Sequence, residues 1–394
     1  MNKNAQDNLS SEKSAETSKK RRRRRPVLRA FALGTLIFVL LGLTFLGVVF
    51  HNVVRDGGYA EKWDEDYDGK LLKDEAYGDL PWQMMDVYVP RELAPEKIEG
   101  AIMFIHGGAW IGGGRIEQQA FAKRMAKKGY LTGNMEYMLF NDSLKEHKKD
   151  YNIQRVLTDV DLALAKLVEI GESYGYKINR VALSGHSAGG HISMLYGYTY
   201  ETREGGDPPV KIAFVAPRVG PVDFHAKTWN AEKEPKTMAW FASFLSGVKM
   251  SPKQYANPDD ATEAAIQSIS PLYAIKPGVP PTLAAYGAKD ALVPERHWQL
   301  LRHEFSKIKA KSIADLAVES DMDPVIEGAD PSVFDLLVFP NSNHMLGRDP
   351  DYTLKWRGLF LAYATRYLDV PAKPDVNLPE KTAPEEEPVL VTNQ

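Results

Sequence analysis

The residues with the most to offer chemically lie in Val181-Ala-Leu-Ser-Gly-His-Ser-Ala-Gly-Gly-His191. Gly185 and Gly189 stand two positions either side of Ser187, an apolar run precedes them, and Ile192, Met194 and Leu195 follow. The spacing predicts a strand, a sharp turn and a helix, with the serine hydroxyl exposed at the bend. A hydroxyl at its ordinary pKa is a weak nucleophile, so it needs a base within hydrogen-bond reach and a further group to orient that base. Two candidates lie downstream, each just after an apolar strand: Asp290 after the run 282–286, and His344 after the run 335–339. In this reading His344 takes the proton from Ser187 and later hands it to the leaving group, while Asp290 holds the imidazole and stabilises its charged form. Asp290 could instead cap the helix that follows, since it sits shortly before Pro294. Asp315, Asp321, Asp323 and Asp330 are rival acids but lie away from a strand end. His186 and His191 are nearer Ser187 in sequence, yet a helix carries residue i+4 along the same face below the turn. Their expected part is to shape or hydrogen-bond that turn.

Acyl transfer through such a serine passes through a tetrahedral oxyanion, which needs backbone N–H groups aimed at it. The amide of Ala188 is one source, at a helix N-terminus where the dipole also favours negative charge. The other is the loop His106-Gly107-Gly108-Ala109-Trp110, which runs on into Ile111-Gly-Gly-Gly114 and whose glycines permit close backbone approach.

The elements that must position these groups alternate in type. Met85, Val87 and Val89 alternate with Asp86 and Tyr88, as in a half-buried strand ending at Pro90. The run 101–105 is apolar throughout, as in a strand buried on both faces. A helix is expected over 117–128 and a weaker strand over 131–139. Ile153, Val156, Leu157, Val160, Leu164, Leu167 and Val168 fall on one helical face. Further strands are expected over 212–216, 282–286 and 335–339, with a helix striped by Trp298, Leu301, Phe305 and Ile308 that could start at Pro294, and a last helix over 354–368. Strands alternating with long helices imply a mainly parallel sheet covered on both faces, an α/β architecture. The stretch 222–269, with Trp229, Trp240, Phe241 and Phe244, is too long for a simple connection and is expected to form a helical cap over the sheet's carboxyl edge. Trp110, Trp229, Trp240 and Phe244 hint at an apolar pocket. A second insertion, acidic and turn-rich, spans about 310–332.

Composition sets the surroundings. The chain has 394 residues, no cysteine and a net charge of −3. Disulfides, thiolate metal sites and a cysteine nucleophile are thereby excluded. Nine Lys or Arg against three acids give residues 1–25 a charge of +6, which leaves −9 on the remainder. Residues 30–50 carry no charge over 21 positions, and at ~1.5 Å per residue they reach roughly 31 Å, the thickness of a hydrocarbon core. This run exceeds the usual apolar region of a cleaved signal, and no cleavage pattern follows it. The expectation is an uncleaved anchor over 27–50 that contacts the lipid bilayer. With Lys19 to Arg25 and Arg29 on one flank and acids on the other, residues 1–26 would be a disordered cytoplasmic tail and the α/β domain, about 56–370, would be extracytoplasmic. The arginine run could also be read as a nucleic-acid patch, but its place against a membrane span favours the topological reading, so no nucleic-acid partner is expected. From 371 to 394 the chain is rich in Pro and Glu and is expected to be unstructured.

HGGAW, GHSAGGH, YGAKDALVP and NSNHML, in that order, resemble the α/β-hydrolase fold in its esterase branch, which holds hormone-sensitive-lipase-like, feruloyl-esterase-like and kynurenine-formamidase-like proteins. The resemblance covers about residues 80–370, and the chain order Ser, Asp, His matches it. It implies a triad of Ser187, Asp290 and His344, and an oxyanion hole drawn from Gly107, Gly108, Ala109 and Ala188, with Gly108 and Ala109 beside Ala188 as the main donors. It further implies a serine hydrolase cleaving a small-molecule or lipid-like carboxylic ester through an acyl-enzyme, without cofactor or metal. An amidase, formamidase or peptidase would use the same triad, and a non-catalytic binding protein could keep the fold. The chain departs from the family pattern at four places. Ala109 stands where a third glycine is common. Glu136-Tyr137-Met138-Leu139 replaces a frequent Tyr-Arg-Leu. The insertion near 310–332 and the membrane anchor are also unusual.

Overall fold

The computed structural model describes residues 61–91, 98–140, 151–202, 209–314 and 332–368. The expected anchor over 27–50, both terminal tails, most of the acidic insertion and all four rival aspartates lie outside these residues. Among the described residues no helix is long and apolar enough to cross a membrane.

Eight strands form one sheet: β1 (Gly69–Ala76), β2 (Met84–Pro90), β3 (Gly100–Ile105), β4 (Leu131–Met135), β5 (Arg180–His186), β6 (Lys211–Arg218), β7 (Thr282–Gly287) and β8 (Phe334–Phe339). Their order is β1-β2-β4-β3-β5-β6-β7-β8. β1 and β2 pair antiparallel, as do β2 and β4, and every pairing from β4 onward is parallel. The alternating β2 sequence suggested a half-buried strand, but Val87, Tyr88 and Val89 are all buried. β4 stops at Met135, short of the expected 139. Beyond it the Glu136 side chain turns to His106 and Arg115, and the Met138 amide donates to Asp159.

The helices are α1 (Gln119–Lys127), α2 (Ile153–Ser173), α3 (Ala188–Thr199), α4 (Lys236–Ser246), α5 (Pro252–Ala256), α6 (Asp260–Ser268), α7 (Arg296–Lys307) and α8 (Pro350–Leu368), with a 3₁₀ turn at Arg115–Gln118. α2 buries Ile153, Val156, Leu157, Val160, Leu164 and Leu167, the face its periodicity predicts, and Asn152 caps it by accepting from the Arg155 amide. α7 begins at Arg296 rather than Pro294, because Pro294 belongs to the preceding turn, where its carbonyl accepts from the His297 amide. α8 begins four residues earlier than expected, just after Asp349.

The stretch 222–269 holds α4, α5 and α6. Phe241 of α4 packs on Trp110, which follows β3, and Phe244 stacks on Phe140, which follows β4. Both contacts lie past the carboxyl ends of their strands, so this segment sits on the side of the sheet where the sharp turn at Ser187, the elbow, emerges.

Candidate active site

The sharp turn after β5 places Ser187 at φ 55° and ψ −117°, between the last residue of the strand and the first of α3. Non-glycine residues rarely adopt such a conformation. It is held by close backbone approach. A Cβ on Gly189 would lie 2.1 Å from the Ile105 carbonyl oxygen, and one on Gly185 would lie 2.2 Å from the Gly189 carbonyl. The Ser187 amide donates to the Arg218 carbonyl at 2.8 Å, tying the turn to the end of β6.

His344 lies in the loop after β8. Its Nε2 is 2.9 Å from Ser187 Oγ and its Nδ1 is 2.7 Å from Asp290 Oδ2. A carboxylate cannot donate, so Nδ1 carries the imidazole proton and Nε2 is left to accept the serine hydroxyl. The Asp290 carboxyl is almost fully enclosed, and its other oxygen, Oδ1, accepts from the amides of Leu292 and Val293 at 2.8 and 3.0 Å. Asp290 does not cap α7, whose N-cap is Glu295 without a side-chain cap; one of its oxygens fixes the turn before that helix and the other meets the imidazole. The three side chains anticipated from the sequence come together.

The histidine loop is fastened at several points. Asp349 accepts from the Asn341 amide, the Asn341 side-chain amide and the Ser342 hydroxyl, while Ser342 Oγ accepts from the Arg348 amide. His186 adds a longer reach, its Nε2–H donating to the His344 carbonyl at 3.0 Å. Burial pushes the His186 imidazole well below its usual pKa, with His344 and Arg218 adding to the effect, so it stays neutral.

In the loop after β3 one expectation changes. The Gly107 amide donates to Glu117 Oε2 at 3.2 Å and is unavailable as an oxyanion donor. Among the described residues the amides of Gly108, Ala109 and Ala188 have no such acceptor. Gly108, Ala109 and Trp110 have φ of 107°, 53° and 60° in succession, and a Cβ at Gly108 would lie 2.0 Å from the Gly112 carbonyl oxygen. Beneath the loop His106 is buried, stacked on Tyr137 at 4.3 Å, with Nε2 3.1 Å from Glu136. Burial would raise the Glu136 carboxyl, but His106 and the Arg115 amide and charge outweigh it and hold the group below the usual range. Arg218 is half-buried, with its guanidinium over Phe121 and Trp356 and one nitrogen donating to Gln118. Burial lowers its pKa to about 10.

His186 and His191 do more than shape the turn. Both reach away from it: His186 to the histidine loop, and His191 to Trp110 Nε1 and the Ile269 carbonyl. Glu117 carries no local signal for its contact with Gly107. Trp110, Trp240 and Phe244 belong to one aromatic cluster through Phe241, and Trp229 joins it through Phe224, which packs on Trp110, while also meeting His297. Among the described residues no group of three or more metal-ligating side chains is arranged around a common point.

A mainly parallel sheet, a serine at positive φ between β5 and α3, and an acid and a base on the loops after β7 and β8 give the chain the α/β-hydrolase fold. The chain belongs to the BD-FAE family, whose pattern matches residues 85–305. It is 29% identical over 226 residues to Esterase LipC of Mycobacterium tuberculosis, covering 55% of this chain and 51% of that protein. With kynurenine formamidase of Danio rerio it shares 26% over 146 residues, 37% of this chain and 45% of the relative. The matches thus span about half the length of these two relatives. The structure of esterase B from Lactobacillus rhamnosis superposes with a TM-score of 0.58 at 18% identity, covering 82% of this chain and 95% of the other. That similarity is one of fold.

Proposed function

We propose that this chain hydrolyses carboxylic esters through an acyl-enzyme on Ser187. What supports this most is the unbroken run of hydrogen bonds from Ser187 Oγ to His344 and on to Asp290, at 2.9 and 2.7 Å. As Ser187 Oγ attacks the ester carbonyl carbon, its proton passes to His344 Nε2, and the carbonyl oxygen takes up negative charge. The amides of Ala188 and of Gly108 or Ala109 meet that charge, each such donor being worth about 3 kcal/mol in comparable sites. The imidazolium then gives its proton to the departing alkoxide as the tetrahedral centre collapses to the acyl-serine. Water repeats the sequence, losing its proton to His344, and releases the acid with Ser187 restored. Asp290 remains ionised throughout and holds the imidazole in one tautomer.

The related Danio rerio formamidase gives an amide substrate, such as an N-formyl amine, as the second reading. The run 27–50 supports tethering, with the α/β domain across the membrane from a basic cytoplasmic tail. Labelling by a fluorophosphonate, followed by rates on esters of graded acyl length and on matched amides, tests the chemistry. Wild type should be labelled and Ser187→Ala should not, with esters turned over faster than amides. Labelling that survives Ser187→Ala would mean another nucleophile. Alkaline carbonate extraction tests the tether, and release of the intact chain from membranes would count against it.

A further inference from the structure

Gly108, Ala109 and Trp110 hold positive φ in succession, and two of the three carry a Cβ. Non-glycine residues in this region cost about 1–3 kcal/mol each and persist only where the surroundings over-determine them. Some of that restraint is local backbone. The amides of Ile111 and Gly112 both donate to the Gly108 carbonyl, and the Phe140 amide donates to the Trp110 carbonyl at 2.9 Å.

The rest comes from the Trp110 side chain. Trp110 is 4% exposed, and its indole N–H donates to His191 Nδ1 at 3.2 Å. With Nδ1 accepting, the His191 proton sits on Nε2, which donates to the Ile269 carbonyl at 2.7 Å. Ile269 immediately follows the last cap helix, and the indole also packs on Phe224 and on Phe241 of α4. His191 is fully buried on α3, four residues after Ser187, and its amide donates to the Ser187 carbonyl at 3.0 Å. One imidazole therefore connects the helix whose first amide is that of Ala188, the loop that offers Gly108 and Ala109, and the end of the cap.

We infer that the Trp110–His191 hydrogen bond is a latch that holds the two halves of the oxyanion hole in register, making both side chains positioning residues. Neither need touch substrate. The latch fixes where the loop amides point relative to the Ala188 amide, and a misplacement of about 1 Å at such a site can cost a hundredfold in rate. This rests on the reading of Ser187 as the nucleophile.

The test compares wild type with Trp110→Phe, which keeps an aromatic ring but loses the N–H. A fluorophosphonate titration counts competent sites, so misfolded molecules do not enter the rates. With p-nitrophenyl butyrate, kcat is expected to fall about 10- to 100-fold with KM within about twofold of wild type. Affinity for an alkyl trifluoromethyl ketone, whose hemiketal oxyanion occupies the same hole, should fall by the same factor. Should Trp110→Phe not fold, His191→Leu breaks the latch from the other side. His191→Asn keeps an acceptor and a donor, and should recover most of the loss. Wild-type kcat and ketone affinity in the latch variants would overturn the inference, and so would a rise in KM alone, which would make Trp110 a substrate contact. Failure of the nucleophile reading looks different: wild type itself would hydrolyse the ester without being labelled at Ser187.

Discussion

The elbow and the loop after β3 both hold non-glycine residues at positive φ, and they do so by opposite means. At the elbow the restraint is main chain: Gly185 and Gly189 let α3 lie against β3 and β5, and the Ser187 amide is tied to β6. At the loop it comes largely from side chains, with Glu117 on the Gly107 amide, Trp110 on His191, and Tyr137 donating to the His106 carbonyl. Backbone restraint tolerates exchange of neighbouring side chains but admits no added atom at the points of contact. Side-chain restraint is open to tuning, and it can be lost one bond at a time.

The largest effect that would test this contrast is at the elbow. Gly189→Ala drives a methyl into the Ile105 carbonyl, and is expected to cost about 3 kcal/mol or more and to lower the thermal midpoint by roughly 6–12 °C. A variant that melts with wild type would show that the close approach is not what holds the turn.

Acid should work on the loop side. Burial lowers the His191 pKa to about 4 and that of His297 to about 3, against about 6.5 in an unfolded chain. The unfolded form therefore binds more protons below about pH 6.5, so the stability these groups confer is full above that pH and is lost as pH falls toward 4. For His191 the loss at pH 4 is about 3 kcal/mol, taking 1.36 kcal/mol per pH unit. Unfolding free energies of wild type and His191→Asn, taken from urea titrations, should converge by about that much between pH 7 and pH 4. A gap that stays constant with pH would mean that His191 is not kept neutral by burial.

The smallest expected effect concerns Glu117. Glu117→Ala frees the Gly107 amide and should lower kcat about tenfold, roughly 1.4 kcal/mol, with little change in melting. Glu117→Gln, which still offers an acceptor, should stay within about threefold of wild type. Equal loss in both variants would assign the effect to charge instead of loop geometry.

The same contrast separates what was legible in the sequence from what was not. Ser187, Asp290 and His344 each follow directly on an apolar strand, so a local pattern put all three at one rim. The parallel sheet and the helical stretch after β6 were legible for the same reason, as properties of contiguous segments. The side-chain restraints join residues 10, 81 and 158 positions apart, Gly107 to Glu117, Trp110 to His191 and His186 to His344. No periodicity encodes such pairs. The Gly107 amide was misassigned because a glycine-rich loop announces freedom of approach without saying which way each N–H turns.

Ser187 itself sets a limit on how this molecule can be improved. Its backbone sits where glycine would rest more easily, yet the proposed mechanism needs a side-chain nucleophile that glycine lacks. Heat tolerance and reactivity pull in opposite directions at that one position, and no substitution there can serve both. A hardier form of this protein would have to gain its robustness away from the bend, on surfaces and helix ends that take no part in aiming the serine.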